Sequence, residues 1–208
     1  MPPSQPRGAP RGSRLSRPSR AAGPTLRRVT IAPTLFSVGH GTRPIDAFLA
    51  LLSDAGAERL VDVRTAPGSR RNPQFGRDAL RGSLEAADVS YVWRGEDLGG
   101  FRKPRPDSRH VALRVDMFRG YAGHMETEEF RGAVRWLIEG ADTPTAFMCA
   151  EADWHRCHRR HIADALLAQG VGVTHLVDAG PQPHVFHPDG RIEDGWPVYD
   201  GVDQATLL

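Results

Sequence analysis

At 208 residues the chain is long enough for one domain of ordinary size with appendages, and it can bury a core without disulfide staples. Two cysteines make no disulfide framework, and no apolar run approaches the roughly 18 residues that cross a bilayer, so a soluble, cytoplasmic protein with no membrane partner is expected. The net charge of +2 hides an asymmetry: residues 1–33 hold seven arginines and no acid, and without them 20 basic residues face 25 acidic ones, which argues against a body that coats polyanions.

Residues 1–32, rich in Pro, Arg, Ser, Gly and Ala, carry a disorder signature. They read as a floppy extension or a mis-called start, or else as a basic arm making salt-sensitive phosphate contacts. A domain is expected over residues 33–180, followed by a C-terminal hairpin and tail over 181–208.

The first strand is predicted at residues 34–38, leaving through Gly39-His40-Gly41-Thr42. A helix over residues 45–55 follows, with Phe48, Leu49, Leu51 and Leu52 on one side. A second buried strand, residues 59–63, exits through a long cationic loop containing Arg64, Ser69, Arg70 and Arg71. Residues 77–87 read as a helix and 90–93 as a third strand. The stretch 101–109 is too rich in Pro, Arg and Lys to be regular, and residues 111–122 are expected to be partly helical. Thr127 looks like an N-cap, with acids behind it, for a helix running to Gly140.

The stretch 145–161 holds both cysteines: a strand over 145–149, a polar loop, and a helix expected from Arg156 to Ala168. A last buried strand is expected over 171–177, and a hairpin over 184–192 turning on Pro188-Asp189-Gly190. Short apolar strands alternating with amphipathic helices predict a three-layer α/β fold: a mostly parallel sheet with helices on both faces, plus a small C-terminal hairpin.

Three strand exits carry polar residues that buried strands do not need: His40 after the first, Asp62 and Arg64 around the second, Cys149 and Glu151 at the fourth. In a parallel sheet these exits share one edge, where loop amides and helix N-termini converge on ligands. Cys149 reads either as a small buried hydrophobe or as a thiolate beside a helix start. The spacing to Arg156 is not that of a Cys-x5-Arg phosphate loop, which speaks against phosphatase chemistry, and the glycine-poor loop weakens a rhodanese-like reading. Cys149, Cys157, His158 and His161 are zinc-type donors, although Cys-x7-Cys is not a familiar metal spacing, and no metal or other cofactor is assigned. Arginine forks at Arg64, Arg156 and Arg159 suit carboxylate or phosphate. Asp62 is read as inward-facing, orienting Arg64 or His40. Tyr91, Trp93, Phe101, Tyr121 and Trp154 are either pocket walls or plain core.

Taken together, Val38-Gly-His-Gly-Thr42, Leu60-Val-Asp-Val-Arg-Thr-Ala-Pro-Gly-Ser69, Leu98-Gly-Gly100, Tyr121 with Met125 and Phe130, and Met148-Cys-Ala-Glu151 with Cys157-His-Arg159 resemble the domain of unknown function 488 family over about residues 34–177. Gly-His-Gly stands here where the family usually has Gly-His-Ser. The resemblance implies an α/β fold with these blocks gathered at one site, and a label that is uncharacterised or, in some members, associated with DNA repair.

The reading that follows is an enzyme of unassigned reaction on an anionic small molecule or nucleic acid. Cys149, Glu151, His40 and Asp62 would be the catalytic set, and Arg64, Ser69, Arg156, His158, Arg159 and Tyr121 would bind substrate. Its rivals are a non-catalytic nucleotide or nucleic-acid binding module and a thiol redox sensor using Cys149 and Cys157.

Overall fold

A computed structural model describes residues 1, 35–68 and 70–202. The N-terminal extension, Thr34, Ser69 and residues 203–208, about which the sequence carries expectations, lie outside the described residues.

The elements run in chain order as β1 (Leu35–Gly39), α1 (Ile45–Asp54), β2 (Arg59–Asp62), α2 (Arg77–Glu85), β3 (Ser90–Trp93), α3 (Asp116–Met125), α4 (Glu128–Glu139), β4 (Thr145–Cys149), α5 (Arg159–Ala168) and β5 (Val173–Leu176), then β6 (Gln182–Pro183), β7 (Arg191–Glu193) and β8 (Trp196–Val198). Six strands form one sheet in the order β3-β2-β4-β1-β5-β6; all pairs are parallel except β5 with β6. β4 is the central strand, with all five residues buried, as a strand covered on both faces requires.

Strand alternation sorts the core into two layers. Val38, Leu60, Ala146 and Met148 pack with Phe48, Leu52, Leu80 and Leu84 under α1 and α2. Leu35, Val61, Phe147 and Cys149 pack on the other face with Tyr121, Phe130, Val134 and Ile162 from α3, α4 and α5. The three-layer α/β architecture expected from the sequence is present.

β1 leads into α1 on one face, and β4, its neighbour, leads into α5 on the other. Connections that leave adjacent strands toward opposite faces open a crevice at their carboxyl ends, the usual ligand position in such sheets. The ladder continues past the regular strands: His40 N–H donates to Cys149 O, Gly41 N–H to Ala150 O, and Val63 N–H to Met148 O. The three exits are therefore locked in register.

Several boundaries shift from expectation, most by a residue or two. The partly helical segment predicted at 111–122 is helical over Asp116–Met125, and the last parallel strand is confined to Val173–Leu176. The helix expected from Arg156 begins at Arg159, because the chain first makes a 3-10 turn, Trp154–Arg156, whose His155 amide is capped by the Asp153 carboxylate. The C-terminal hairpin exists, but it pairs β7 with β8 and turns on Asp194 and Gly195, both at positive φ, not on Asp189-Gly190. Positive φ at both central residues matches the twist of a two-residue hairpin. The predicted Thr127 cap is present, its side chain accepting from Phe130 N. No helix among the described residues is long and apolar enough to cross a membrane.

Candidate functional site

The ends of β1, β2 and β4 surround a cavity of about 800 Å3, lined among others by His40, Arg64, Cys149, Glu151, Arg156, Cys157 and His158. Seven of the residues singled out from the sequence are thus brought to one place. Gly100, Phe101 and Met117 close it from the side of the irregular loop and α3.

Its β4 wall depends on Gly39. A Cβ there would lie 1.9 Å from the Glu151 carbonyl oxygen, so only glycine lets the loop after Cys149 fold back over the end of β1. That loop is then braced from beneath. Arg159, 1% exposed, donates from Nη1 to Ser37 Oγ at 2.9 Å and from Nη2 to Glu151 O at 2.6 Å. Arg159 was expected to hold substrate; it is a buried strut and does not line the cavity, because its reach from α5 ends under the sheet edge.

At the β2 exit, Asp62 is fully buried and saturated. Its carboxylate accepts from Arg64 Nε at 2.8 Å, Arg64 Nη2 at 2.6 Å and Tyr91 Oη at 2.8 Å. Arg64 spends Nη1 on His40 Nε2 at 3.3 Å and on Phe75 O at 2.9 Å. His40 Nδ1 donates to Gly41 O at 2.8 Å, and its ring stacks on Phe75 at 4.2 Å. Burial, with Arg64 and Arg159 nearby, lowers the His40 pKa to about 4, although the Gly41 carbonyl pulls the other way. His40 is therefore neutral at pH 7 with both nitrogens engaged, a poor proton carrier in this arrangement. Asp62 orients Arg64, as read from the sequence, and reaches the cavity only through it.

The cysteines meet over His158. Cys149 Sγ and Cys157 Sγ each lie 3.7 Å from His158 Nδ1, while Nε2–H donates to Val63 O at 3.3 Å. The hydrogen bond that Cys149 donates to Cys157, together with burial, pushes the Cys149 thiol well above its ordinary range. Burial also opposes ionisation of Cys157, yet that same hydrogen bond, with His158 and Arg159 alongside, draws it well below. The two thiols are thus driven in opposite directions, Cys149 up and Cys157 down.

Tyr121, expected to touch substrate, is fully buried: its hydroxyl donates to Leu98 O at 2.9 Å and its ring walls His158 from behind at 5.1 Å. His161, grouped with the cysteines as a metal ligand, turns instead toward Tyr199 and Phe118. Of the five aromatics weighed as walls, Phe101 lines the cavity. Tyr91 and Trp93 tie down the β2 exit, Trp93 Nε1 donating to Arg64 O at 2.9 Å, and Trp154 stacks on His175. Glu151 and Arg156 are exposed at the cavity rim. Thr42, Thr65, Asn72 and Met117 line the cavity without having been anticipated. Thr42 and Thr65 stand inside the family-like blocks and Asn72 on the cationic exit loop, none with a role assigned, and Met117 carried no signal.

No curated protein and no solved structure matches the chain. A family model described as "Domain of unknown function DUF488" matches residues 44–166, which takes in Asp62, Arg64, both cysteines, Glu151 and His158 and leaves His40 just outside. The chain belongs to the DUF488 family.

Proposed function

We propose that the cavity is an active site for an anionic substrate of nucleotide or nucleic-acid type. The observation that carries this reading is the convergence of two free cysteines, His158, Glu151 and Arg156 on one cavity at the carboxyl ends of three parallel strands. Cys149, Cys157 and His158 form the reacting centre. Glu151 is the carboxylate placed to take or give a proton, since Asp62 and His40 are committed to other partners. Arg156, with Arg64 behind it, supplies positive charge for a phosphate or carboxylate. Phe101 and Met117 offer an apolar wall for a planar ring. Free cysteines suit the reducing cytoplasm in which such an enzyme would work.

The test is a turnover screen over nucleotides and short single strands with the wild type and folded Cys157→Ser, Cys149→Ser and Glu151→Gln variants. Loss of turnover in all three with binding retained is expected. Full activity in the variants sinks the reading, and binding without turnover in the wild type favours a recognition module.

A redox sensor is the second reading, because the two sulfurs lie within 4.8 Å of each other. It requires peroxide treatment to yield a Cys149–Cys157 disulfide that thiols reverse.

A further inference from the structure

We propose that Cys149, Cys157 and His158 are the three protein ligands of a zinc-class metal centre whose fourth position opens into the cavity. This deepens the active-site reading, and rests on it only for what the fourth position does.

Cys149 Sγ, Cys157 Sγ and His158 Nδ1 all lie within 4.8 Å of one another, with both sulfurs 3.7 Å from the nitrogen. A tetrahedral ion with bonds of about 2.3 Å to sulfur and 2.0–2.1 Å to nitrogen needs sulfur-to-nitrogen edges of about 3.6 Å. The edges that include His158 are therefore already at ligating length.

The second requirement is a histidine whose free lone pair points at the ion. His158 donates Nε2–H to the Val63 carbonyl, leaving Nδ1 as the acceptor facing the sulfurs. A ligating histidine is usually oriented in this way by a carbonyl or carboxylate on its other nitrogen. The orienting carbonyl is itself rigid, because Val63 N–H donates to Met148 O at the centre of the sheet.

Room is the third. A Cβ on Gly100 would sit 2.6 Å from His158 Nδ1, so glycine there keeps the ligand face of the imidazole clear. The remaining ligands are held before any ion arrives: Cys149 by the end of β4 and Cys157 by the hydrogen bond its N–H donates to Trp154 O at the close of the 3-10 turn. Two sulfurs and one imidazole nitrogen form a soft donor set that favours zinc over magnesium or calcium. Each thiol that ligates loses its proton to solvent, and two thiolates balance a divalent charge.

All three ligands line the cavity, which leaves the fourth position to water or substrate, the arrangement of a catalytic and not a structural zinc site. A bound ion would polarise a substrate oxygen or lower the pKa of a bound water, with Glu151 on the same cavity wall.

The experiment uses the full-length protein stripped with a chelator under reducing conditions. Zinc is titrated by calorimetry, and cobalt is added to a separate stripped sample as a spectroscopic probe. One zinc per chain is expected, with thiolate-to-cobalt charge transfer and the intense visible bands of tetrahedral cobalt. Cys149→Ser, Cys157→Ser and His158→Ala should each weaken zinc binding by roughly 100-fold or more, since loss of even an outer partner typically costs 10–100-fold. His155→Ala, an exposed histidine of the same loop, should leave binding unchanged. Absence of stoichiometric zinc, a cobalt spectrum without thiolate charge transfer, or equal loss in His155→Ala overturns the centre. Should the ligand variants lose their fold, the wild-type cobalt spectrum decides alone. A protein that binds one zinc through these ligands but turns nothing over would sink the active-site reading and leave the metal centre standing; turnover without zinc would do the reverse.

Discussion

Asp164 Oδ1 accepts a hydrogen bond of 2.9 Å from His184 Nε2, with neither side chain reaching solvent. From there a directed chain runs back through the core: His175 Nε2–H donates to His184 Nδ1, Ser37 Oγ donates to His175 Nδ1, and Arg159 Nη1 donates to Ser37. It begins and ends on α5, passing through β1, β5 and the residue after β6, and so ties the helix that follows the site to the sheet beneath it.

Asp164 also accepts from Tyr199 Oη at 2.7 Å and His187 N at 3.0 Å. Asp164→Ala leaves those donors and His184 unpaired in the interior, and it should destabilise the protein by about 3–5 kcal/mol. Urea unfolding measures this; a change below about 1 kcal/mol would mean the network adds nothing net.

Asp62 and Arg64 are a buried pair, so removing one charge strands the other. Asp62→Ala should cost about 3–5 kcal/mol, while the double variant Asp62→Ala with Arg64→Met should cost less than the sum of the singles. A double-mutant cycle by denaturant unfolding gives the coupling, and strict additivity would contradict the pairing.

Gly39→Ala would place a methyl group 1.9 Å from the Glu151 carbonyl oxygen and 2.7 Å from Arg159 Nη2, into the hydrogen bond that joins them. Backbone cannot yield there without moving the loop over β1. A fall in thermal midpoint and loss of whatever ligand the cavity binds are expected together. A variant with wild-type midpoint and affinity would show that the loop is not braced as described.

Acid should unfold the protein earlier than its carboxylates alone would. Burial is the first cause that lowers His40, His161 and His175, to about 4, about 3 and about 3. In the unfolded chain these groups titrate near 6.5. Below that pH the unfolded state takes up protons that the folded state refuses, so stability is full above about 6.5 and falls as pH drops toward the folded values. Each histidine adds a slope of about 1.4 kcal/mol per pH unit within that window. Urea midpoints between pH 7.5 and 5 check this, because ordinary carboxylates barely titrate there, and a flat profile would refute it.

The sheet and the edge where its polar exits gather were readable because buried parallel strands appear as short apolar runs, and polar residues at their exits have no packing reason to be there. Roles were less readable. Arg64, Arg156 and Arg159 look alike in sequence, but Arg156 alone is left exposed at the rim, because the distance from α5 to the sheet consumes Arg159 and Asp62 consumes most of Arg64. Ser37, His175, His184 and Asp164 carry no motif; Ser37 and His175 are 138 positions apart and meet only through strand pairing. The hairpin was placed on Pro188-Asp189-Gly190, but Asp194-Gly195 is the Asp-Gly pair flanked by strands that pair. Gly100 belonged to a recognised block without an assigned task, since its contribution is the absence of a side chain beside His158.

The central position of β4 also bears on how the protein is made. β1 and β2 never pair with each other; both wait for β4, whose first residue is Thr145. During synthesis the first two-thirds of the domain can assemble β2 with β3, but β1 stays without a strand partner until the middle of the sheet emerges. Closure is therefore a late, long-range event of the kind that folds slowly and leaves a strand edge exposed meanwhile. A chain stopped before residue 145 would hold two pieces of a sheet with nothing to join them.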